Sequence, residues 1–214
     1  MYNPTAFKEE DLNRQHQLIR DHPLGLLISS APDGLQASPL PFHLVAEGSS
    51  LGRLQGHLAR GNPHWKMLDG HDVLVVFQGG DAYVTPAWYR SKSEHGKVVP
   101  TWNYVMVQVH GTVRVIDDHE WLRSQITRLT HDHEGPRPEP WHVTDAPASF
   151  IDAQINGIVG LEIEIRRIEG KWKVSQNRTE ADRRSVAEGF EAIGDAPMSR
   201  LVRTHIDRDA PREL

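Results

Sequence analysis

Residues 97–111 read KVVPTWNYVMVQVHG, and this stretch joins an unusual segment to a regular one. Valines at positions 105, 107, 109, 113 and 115, with glycine at 111, alternate with mostly more polar side chains, as in a strand with one buried face. The preceding segment, residues 100–104, contains a proline, two large aromatic rings and an amide. Because proline donates no hydrogen bond to a sheet, we expect this segment at the start or edge of the strand. The valine pattern therefore predicts a β fold, and the aromatic segment needs a separate explanation.

Other stretches have the periodicity or composition of strands, and short turns rich in glycine, proline, aspartate or serine separate them. The predicted strands are residues 24–30, 35–45, 51–57, 72–77, 82–85, 101–116, 159–166 and 171–175. The predicted helices are residues 9–22, 62–68, 117–131, 148–155 and 179–193. No repeat or linker divides the chain. The sequence predicts one mainly β domain at residues 1–204, a small antiparallel barrel with peripheral helices, followed by a mobile tail at residues 205–214.

The composition excludes several kinds of chemistry. Among 214 residues there is no cysteine, which excludes disulfides, thiolate nucleophiles and cysteine-bound metals and suits a reducing cytoplasm. The polar N-terminus lacks the apolar core of a signal peptide, and no apolar run approaches the ~20 residues of a membrane helix. We expect a soluble, cytoplasmic protein that does not contact membranes. The net charge of −5 argues against a protein that coats DNA generally, although it permits a local basic patch.

Common catalytic and nucleotide-binding motifs are absent. The sequence contains no glycine-rich dinucleotide fingerprint, no P-loop and no nucleophile elbow. The run His131-Asp132-His133 lies beyond the predicted end of a helix, and a metal site would need further ligands brought there by the fold. Polar side chains at a helix C-terminus are the simpler interpretation, since histidine suits the helix dipole there.

Three other stretches combine groups that a ligand could use, and each has a structural alternative. Residues 36–42 carry two prolines, which indicate either an edge strand or a backbone left free for a flat ligand. Residues 55–63 place Arg60 before a helix start, which favours an ordinary capped turn or a phosphate receptor. Residues 171–178 place many polar groups, two of them the cations Lys173 and Arg178, after Trp172, either in a solvated turn or in a packed binding segment.

Considered together, these stretches offer a strand edge that is not paired with another strand, aromatic planes, amides and cations. Flavin mononucleotide (FMN) makes matching demands, because it has a large aromatic ring with a polar edge and one terminal phosphate. Residues 100–104 would then form a wall of the site. They could equally form a dimer interface, where tryptophan and tyrosine are favoured.

Five blocks of the sequence resemble, in order and spacing, the PaiB family of FMN-binding negative transcriptional regulators. The blocks are MYNP, ASPLPF, GHLARGNP, VVPTWNY, and GKWKVSQNR followed by EADRR, and the resemblance runs from residue 1 to about residue 203. It implies an FMN-binding split barrel, usually a homodimer with the flavin at the subunit interface. By this analogy the cofactor contacts would be Ser38, Pro39, Leu40, His57, Arg60, Asn62, Trp102, Asn103, Tyr104, Lys173, Ser175, Gln176, Asn177 and Arg178.

Three functions remain open at this point. The resemblance implies a negative regulator of transcription, although no helix-turn-helix is evident. Under this hypothesis the group that contacts DNA consists of Arg166, Arg167, Lys171, Lys173, Arg178, Arg183 and Arg184. The alternative is an FMN-dependent oxidoreductase similar to flavin reductases or pyridoxamine-phosphate oxidases, with no residue marked as catalytic. The third is an interaction protein that has lost its cofactor. The sequence names neither a substrate nor an operator.

Overall fold

The computed structural model describes residues 1–32 and 34–209, in which eight strands and six α-helices form a mainly β fold. The strands are β1 (Lys8–Glu9), β2 (Leu24–Ala31), β3 (Gly34–Pro41), β4 (His43–Val45), β5 (Arg53–Ala59), β6 (Asp72–Val84), β7 (Thr101–Ile116) and β8 (Ile158–Lys173). The helices are α1 (Leu12–Asp21), α2 (Ser91–His95), α3 (His119–Glu134), α4 (Ala148–Asn156), α5 (Glu180–Ala192) and α6 (Ala196–Asp209). Short 3₁₀ turns occupy Thr5–Phe7, Pro63–Met67, Pro86–Trp88 and Val143–Asp145. None of the described helices is long and apolar enough to cross a membrane.

The strands form one antiparallel sheet, in the order β3-β2-β6-β7-β8-β5-β4, with β1 beside β8. This confirms the predicted fold class, a mainly β split barrel with helices around it. β3 is the terminal strand of this order, so the proline-containing stretch is an edge strand. Pro39 and Pro41 leave gaps in its row of hydrogen-bond donors, which discourages another strand from pairing there.

The chain divides into two compact units, each formed by segments distant in sequence. Unit 1 comprises Met1–Glu10, Gln78–Met106 and Gly170–Leu214, and unit 2 comprises Asp11–Phe77 and Val107–Glu169. In unit 1, α5 and α6 pack together, and Trp88 meets Phe190 edge-to-face at 4.9 Å between ring centroids. In unit 2, alternate side chains of the strands form the core. Fully buried members include Leu27, Val75, Val109, Leu161 and Ile163.

Two predicted turns were wrong. The predicted turn at Gly79-Gly80 lies inside the continuous strand β6, and the predicted turn at Glu169-Gly170 lies inside β8. Gly79, Gly80 and Gly170 do not have positive φ angles, so their backbones remain extended and the strands continue through them. The predicted strand at residues 35–45 is instead divided at Phe42, whose N–H donates to the carbonyl of Pro23 at 2.9 Å.

Long-range contacts explain two further differences from the prediction. Residues 86–98, predicted as a loop, contain α2, whose Ser91 donates its N–H and Oγ–H to the Asp182 carboxylate at 3.0 and 2.8 Å. Local sequence does not reveal a partner 91 residues away. Residues 205–209, assigned to the tail, continue α6, and residues 210–214 lie outside the described residues.

Candidate functional site

Lys173, at the end of β8, is the centre of a polar and aromatic cluster in unit 1. Its Nζ donates to Thr101 Oγ1 at 2.6 Å and to the Trp102 carbonyl, and lies 5.9 Å from the ring centroid of Tyr104. Burial lowers the pKa of Lys173, and the nearby charges of Lys171 and Arg178 lower it further. The start of β7 and the end of β8 therefore bring two of the predicted binding segments together.

The three cations of this cluster lie over aromatic rings. Lys171 Nζ is 5.4 Å from the ring centroid of Tyr104, and the Arg178 guanidinium is 4.7 Å from that of Tyr89. Lys171 is 8% exposed and donates to the Tyr2 carbonyl at 3.0 Å. Among the described residues, no ion pair joins Lys171, Lys173 or Arg178 to a carboxylate. Positive charge without a carboxylate partner is suited to an anionic ligand.

Asn103 provides the strongest sign that the cluster is incomplete. Its side chain is fully buried, and its Oδ1 accepts a hydrogen bond from Ser175 Oγ at 3.1 Å. Its Nδ2 is buried without a hydrogen-bond partner among the described residues. Leaving such a donor unpaired costs about 1–3 kcal/mol. An acceptor such as a flavin carbonyl would offset that cost, so this orphaned donor and the cations fit FMN.

The turn after β8 is held in an unusual conformation. Ser175 has φ +72°, a left-handed conformation that residues with a Cβ rarely adopt. Gln176 closes the turn, because its Oε1 accepts from Val174 N at 2.7 Å and its Nε2 donates to the Trp172 carbonyl. Trp172 and Val174 are buried, which confirms that this stretch is packed. Asn177, at the tip, is exposed.

Two aromatic rings on unit 1 remain accessible. Trp102 is 54% exposed and Tyr83 is 48% exposed, and their rings meet edge-to-face at 6.0 Å. Trp102 alternates with the buried Asn103 along β7, so the two residues point to opposite faces of the strand. An exposed indole beside Lys173 is a surface on which a planar ring can stack.

In unit 2, the predicted ring contacts on β3 divide between its two faces. Ser38 and Leu40 are buried, whereas Pro39 is exposed. Ser38 Oγ is 2.8 Å from Nδ1 of the buried His64, whose Nε2 is 2.7 Å from Ser29 Oγ. Ser38 and Leu40 thus belong to the interior of unit 2, and only Pro39 presents its side chain outward.

The predicted phosphate contacts of unit 2 already have protein partners. Asn62 caps the 3₁₀ turn through the N–H of His64, as the sequence predicts. His57 Nδ1 is 2.9 Å from Gln125 Oε1 on α3. Arg60 makes a bidentate pair with Asp117 at 2.6 and 2.9 Å and also donates to two carbonyls. A phosphate at Arg60 would have to displace these partners.

The buried histidines predict a pH dependence of stability. Burial lowers the pKa of His64 below 6.5, and His16 and His110 shift in the same direction, chiefly through burial. The unfolded chain therefore takes up protons before the folded chain does, so stability is lost as pH falls through the unfolded pKa. We expect Tm to fall by several degrees between about pH 7.5 and about pH 5.5, above the range where carboxylates titrate. A thermal melt series checks this, and His64→Gln should reduce the slope; a Tm that does not change would contradict it.

Several residues of the Lys173 cluster and of the hydrogen-bonded interior of unit 2 were not predicted from the sequence. Lys171 has the same spacing signal as Lys173, since residues two apart in a strand share a face, but it was not assigned to the site. Tyr89 and His64 gave no local signal, because each is positioned by contacts with distant residues. His131, Asp132 and His133 lie within α3, and Asp132 Oδ2 is 2.5 Å from His43 Nδ1. Among the described residues, no group of three or more metal-ligating side chains could hold a metal ion.

Comparisons with known proteins identify the family and the fold of the chain. A family model described as "Putative FMN-binding domain" matches residues 1–167. The chain is 30% identical to the protease synthase and sporulation protein PAI 2 of Bacillus subtilis over 89% of each chain. It is 38% identical to an uncharacterized protein of Emericella nidulans, over 91% of this chain and 92% of that one. A FAD and heme binding protein from Mycobacterium smegmatis has a similar fold, with a TM-score of 0.59, 20% identity, and coverage of 78% of this chain and 73% of that one.

Proposed function

The chain belongs to this FMN-binding domain family, with FMN as its cofactor, and we propose that it is an FMN-dependent oxidoreductase acting on a small molecule. When bound, FMN supplies the hydride or electron transfer. The protein's part is to bind the flavin, orient it and limit access of water.

The observation that carries the flavin-binding part of this proposal is the group of three cations over aromatic rings. Lys171, Lys173 and Arg178 would receive an anionic part of FMN, and the free amide donor of Asn103 would bind a flavin acceptor. Among the described residues, the three cations have no carboxylate partner, whereas Arg60 pairs with Asp117 and His57 lies 2.9 Å from Gln125.

The basic group considered for DNA contact supports that role poorly. Arg183 is only 8% exposed, and Arg184 pairs with Glu180 at 2.6 Å on the same helix. Arg166 pairs with Asp72 at 3.3 Å, and Arg167 pairs with Glu169 at 2.8 Å. Buried or carboxylate-paired arginines offer little free charge to phosphates, which favours the oxidoreductase.

A negative regulator of transcription of the PaiB type is the second candidate. It is favoured by the match to the B. subtilis PAI 2 protein, which covers nearly the whole length of both chains. In that case the flavin would report a redox or metabolic state, and contact with DNA would be made through the exposed Arg166 and Arg167. The lack of cysteine supports a cytoplasmic location under either function.

One pair of assays on FMN-loaded protein separates the two candidates. We expect NADH or NADPH to bleach the flavin absorbance with a saturable rate, and DNA to bind no more tightly than the ~10⁻⁶ M typical of non-specific contacts. Sub-micromolar binding to a specific promoter fragment, lost in an Arg166→Gln, Arg167→Gln variant, together with a flavin that neither nucleotide reduces, would reject the oxidoreductase in favour of the regulator.

We also propose that the protein is a homodimer, formed through the outer face of the β3-β2-β6 end of the sheet. Leu24, Leu26 and Leu35 are 66%, 39% and 79% exposed on this face. The register places apolar residues opposite one another: Leu26 faces Pro39 and Val76, and Ile28 faces Ala37 and Leu74. A contiguous apolar face of this kind on a folded unit is characteristic of a protein interface.

A further inference from the structure

A pocket in unit 2 contains positive charge that the proposed flavin chemistry does not use. It has a volume of about 500 Å³ and lies among the last turn of α1, strands β4 and β5, and α3. Its charged and polar walls include Arg20, Arg53, Arg128 and Gln55. The pocket is in the size range of small-molecule sites in proteins.

The three arginines differ from most other arginines of the protein. Ion pairs with carboxylates hold Arg60, Arg114, Arg123, Arg137, Arg166, Arg167, Arg184 and Arg203. Within the part of the chain that the structure describes, no such pair involves Arg20, Arg53 or Arg128. The three therefore place guanidinium groups around one pocket without direct neutralisation, although like charges brought together repel.

Two of the guanidiniums also have unused donors. The Nε atoms of Arg53 and Arg128 are buried and have no hydrogen-bond partner among the described residues. Arg128 donates to Gln55 Oε1 at 2.9 Å and to Ser124 Oγ at 2.5 Å, which are both neutral acceptors. These contacts fix the orientation of the Arg128 side chain and leave its charge uncompensated by any direct partner.

The carboxylates nearest to these arginines offset only part of the charge. The oxygens of Glu162 accept from Arg114 at 2.8 Å and from Gln55 Nε2 at 2.7 Å, and the charge of Arg53 helps to lower the pKa of this buried carboxylate. Asp132 is engaged by His43. Glu47 is the one carboxylate among the residues that line this pocket, against three guanidiniums. Residues 44–46 also line the pocket, and Val45 is the register partner of Arg53 in the β4-β5 pair.

We propose that this pocket binds a small organic anion with at least two negative charges, carried by carboxylate or phosphate groups on a short carbon skeleton. Arginine matches this chemistry, because its planar guanidinium donates two parallel hydrogen bonds to a carboxylate or phosphate. The three guanidiniums bind the acidic groups, and residues 44–46 contact the skeleton. The site is separate from the cluster around Lys173, which belongs to unit 1.

The test is a calorimetric titration of FMN-loaded protein with citrate and with inorganic phosphate, at an ionic strength held constant with sodium chloride. We expect saturable binding of at least one of them, weakened about tenfold or more in both Arg53→Met and Arg128→Met. Tighter citrate binding identifies carboxylates as the preferred ligand, and tighter phosphate binding identifies phosphate esters. Arg137→Met, which removes an arginine on the surface beyond α3, is the control and should leave both affinities unchanged.

Two results would overturn the proposal: no saturable binding of either anion, or equal binding by the wild type and both variants. Arg20→Met guards against a folding defect, since Arg20 is exposed at the end of α1 and its loss should weaken binding without unfolding the protein. FMN affinity is measured in every variant and should not change. A loss of anion binding with intact FMN binding separates this site from the proposed function.

Discussion

Replacement of Lys173 with methionine is expected to weaken FMN binding by about tenfold or more. A hydrogen bond to a charged group contributes about 1.5–3 kcal/mol, and each 1.4 kcal/mol corresponds to about tenfold in affinity. Lys173 is half-buried, and its charge has two cationic neighbours and no carboxylate partner within the described part of the chain. Because methionine keeps an unbranched chain of similar length, the variant removes the charge while filling much of the same space. Quenching of flavin fluorescence during titration gives the dissociation constant.

Lys66 provides a matched control for this substitution. Its Nζ lies 5.9 Å from the ring centroid of Trp65, the same distance as that between Lys173 and Tyr104, but it belongs to unit 2 and not to the cluster. Lys66→Met should therefore bind FMN as tightly as the wild type. Because the pKa of Lys173 is lowered, this side chain loses its charge at a lower pH than an ordinary lysine does. As pH rises, the FMN affinity of the wild type should therefore begin to decline at a lower pH than it would with an ordinary lysine at this position. Equal affinities of Lys173→Met and wild type would remove the cluster from the flavin site.

The long strands were the most predictable part of the fold. The alternation around Val105, Val107 and Val109 identified β7 correctly, because the buried positions of that strand follow a period of two from residue 103 to residue 113. Glycines were misleading, since glycine permits a turn without requiring one. At Gly79 and Gly80 the neighbouring strands of the sheet keep the backbone extended, and the sequence around the glycines does not indicate those strands.

The candidate site was predictable in unit 1 and less so in unit 2. Trp102, Asn103 and Lys173 converge because they lie on two neighbouring strands of the sheet, β7 and β8, and Ser175 follows β8 in the next turn. By contrast, the motif around Arg60 has the composition of a phosphate receptor, but the guanidinium pairs with Asp117, which lies 57 residues further along the chain. Residue types alone could not distinguish a cation held by a carboxylate from a cation left for a ligand.

The proposed dimer face yields the second large effect, because Leu26→Lys is expected to convert a dimer into a monomer. Leu26 is at the centre of the apolar face, opposite Pro39 on one side and Val76 on the other. In a symmetric interface a central residue is buried in both copies, so the substitution buries two unpaired charges at once. In the monomer the lysine chain can extend along the surface and keep its ammonium group in water, so folding should be preserved.

Light scattering coupled to size-exclusion chromatography gives the mass of each species, and circular dichroism verifies the fold. Ile193→Lys is the control: Ile193 is 66% exposed, as Leu24 is, but it follows α5 in unit 1 and lies outside the apolar face. Ile193→Lys should leave the mass at that of a dimer.

The exposed Leu24 gives a second variant, Leu24→Lys, that should weaken the dimer with even less risk to the fold. A wild-type protein that is monomeric at micromolar concentration, or a Leu26→Lys variant that remains dimeric, would exclude this face as the interface. The apolar side chains would then need a different partner to explain why three leucines remain exposed on one side of a sheet whose other side is fully packed.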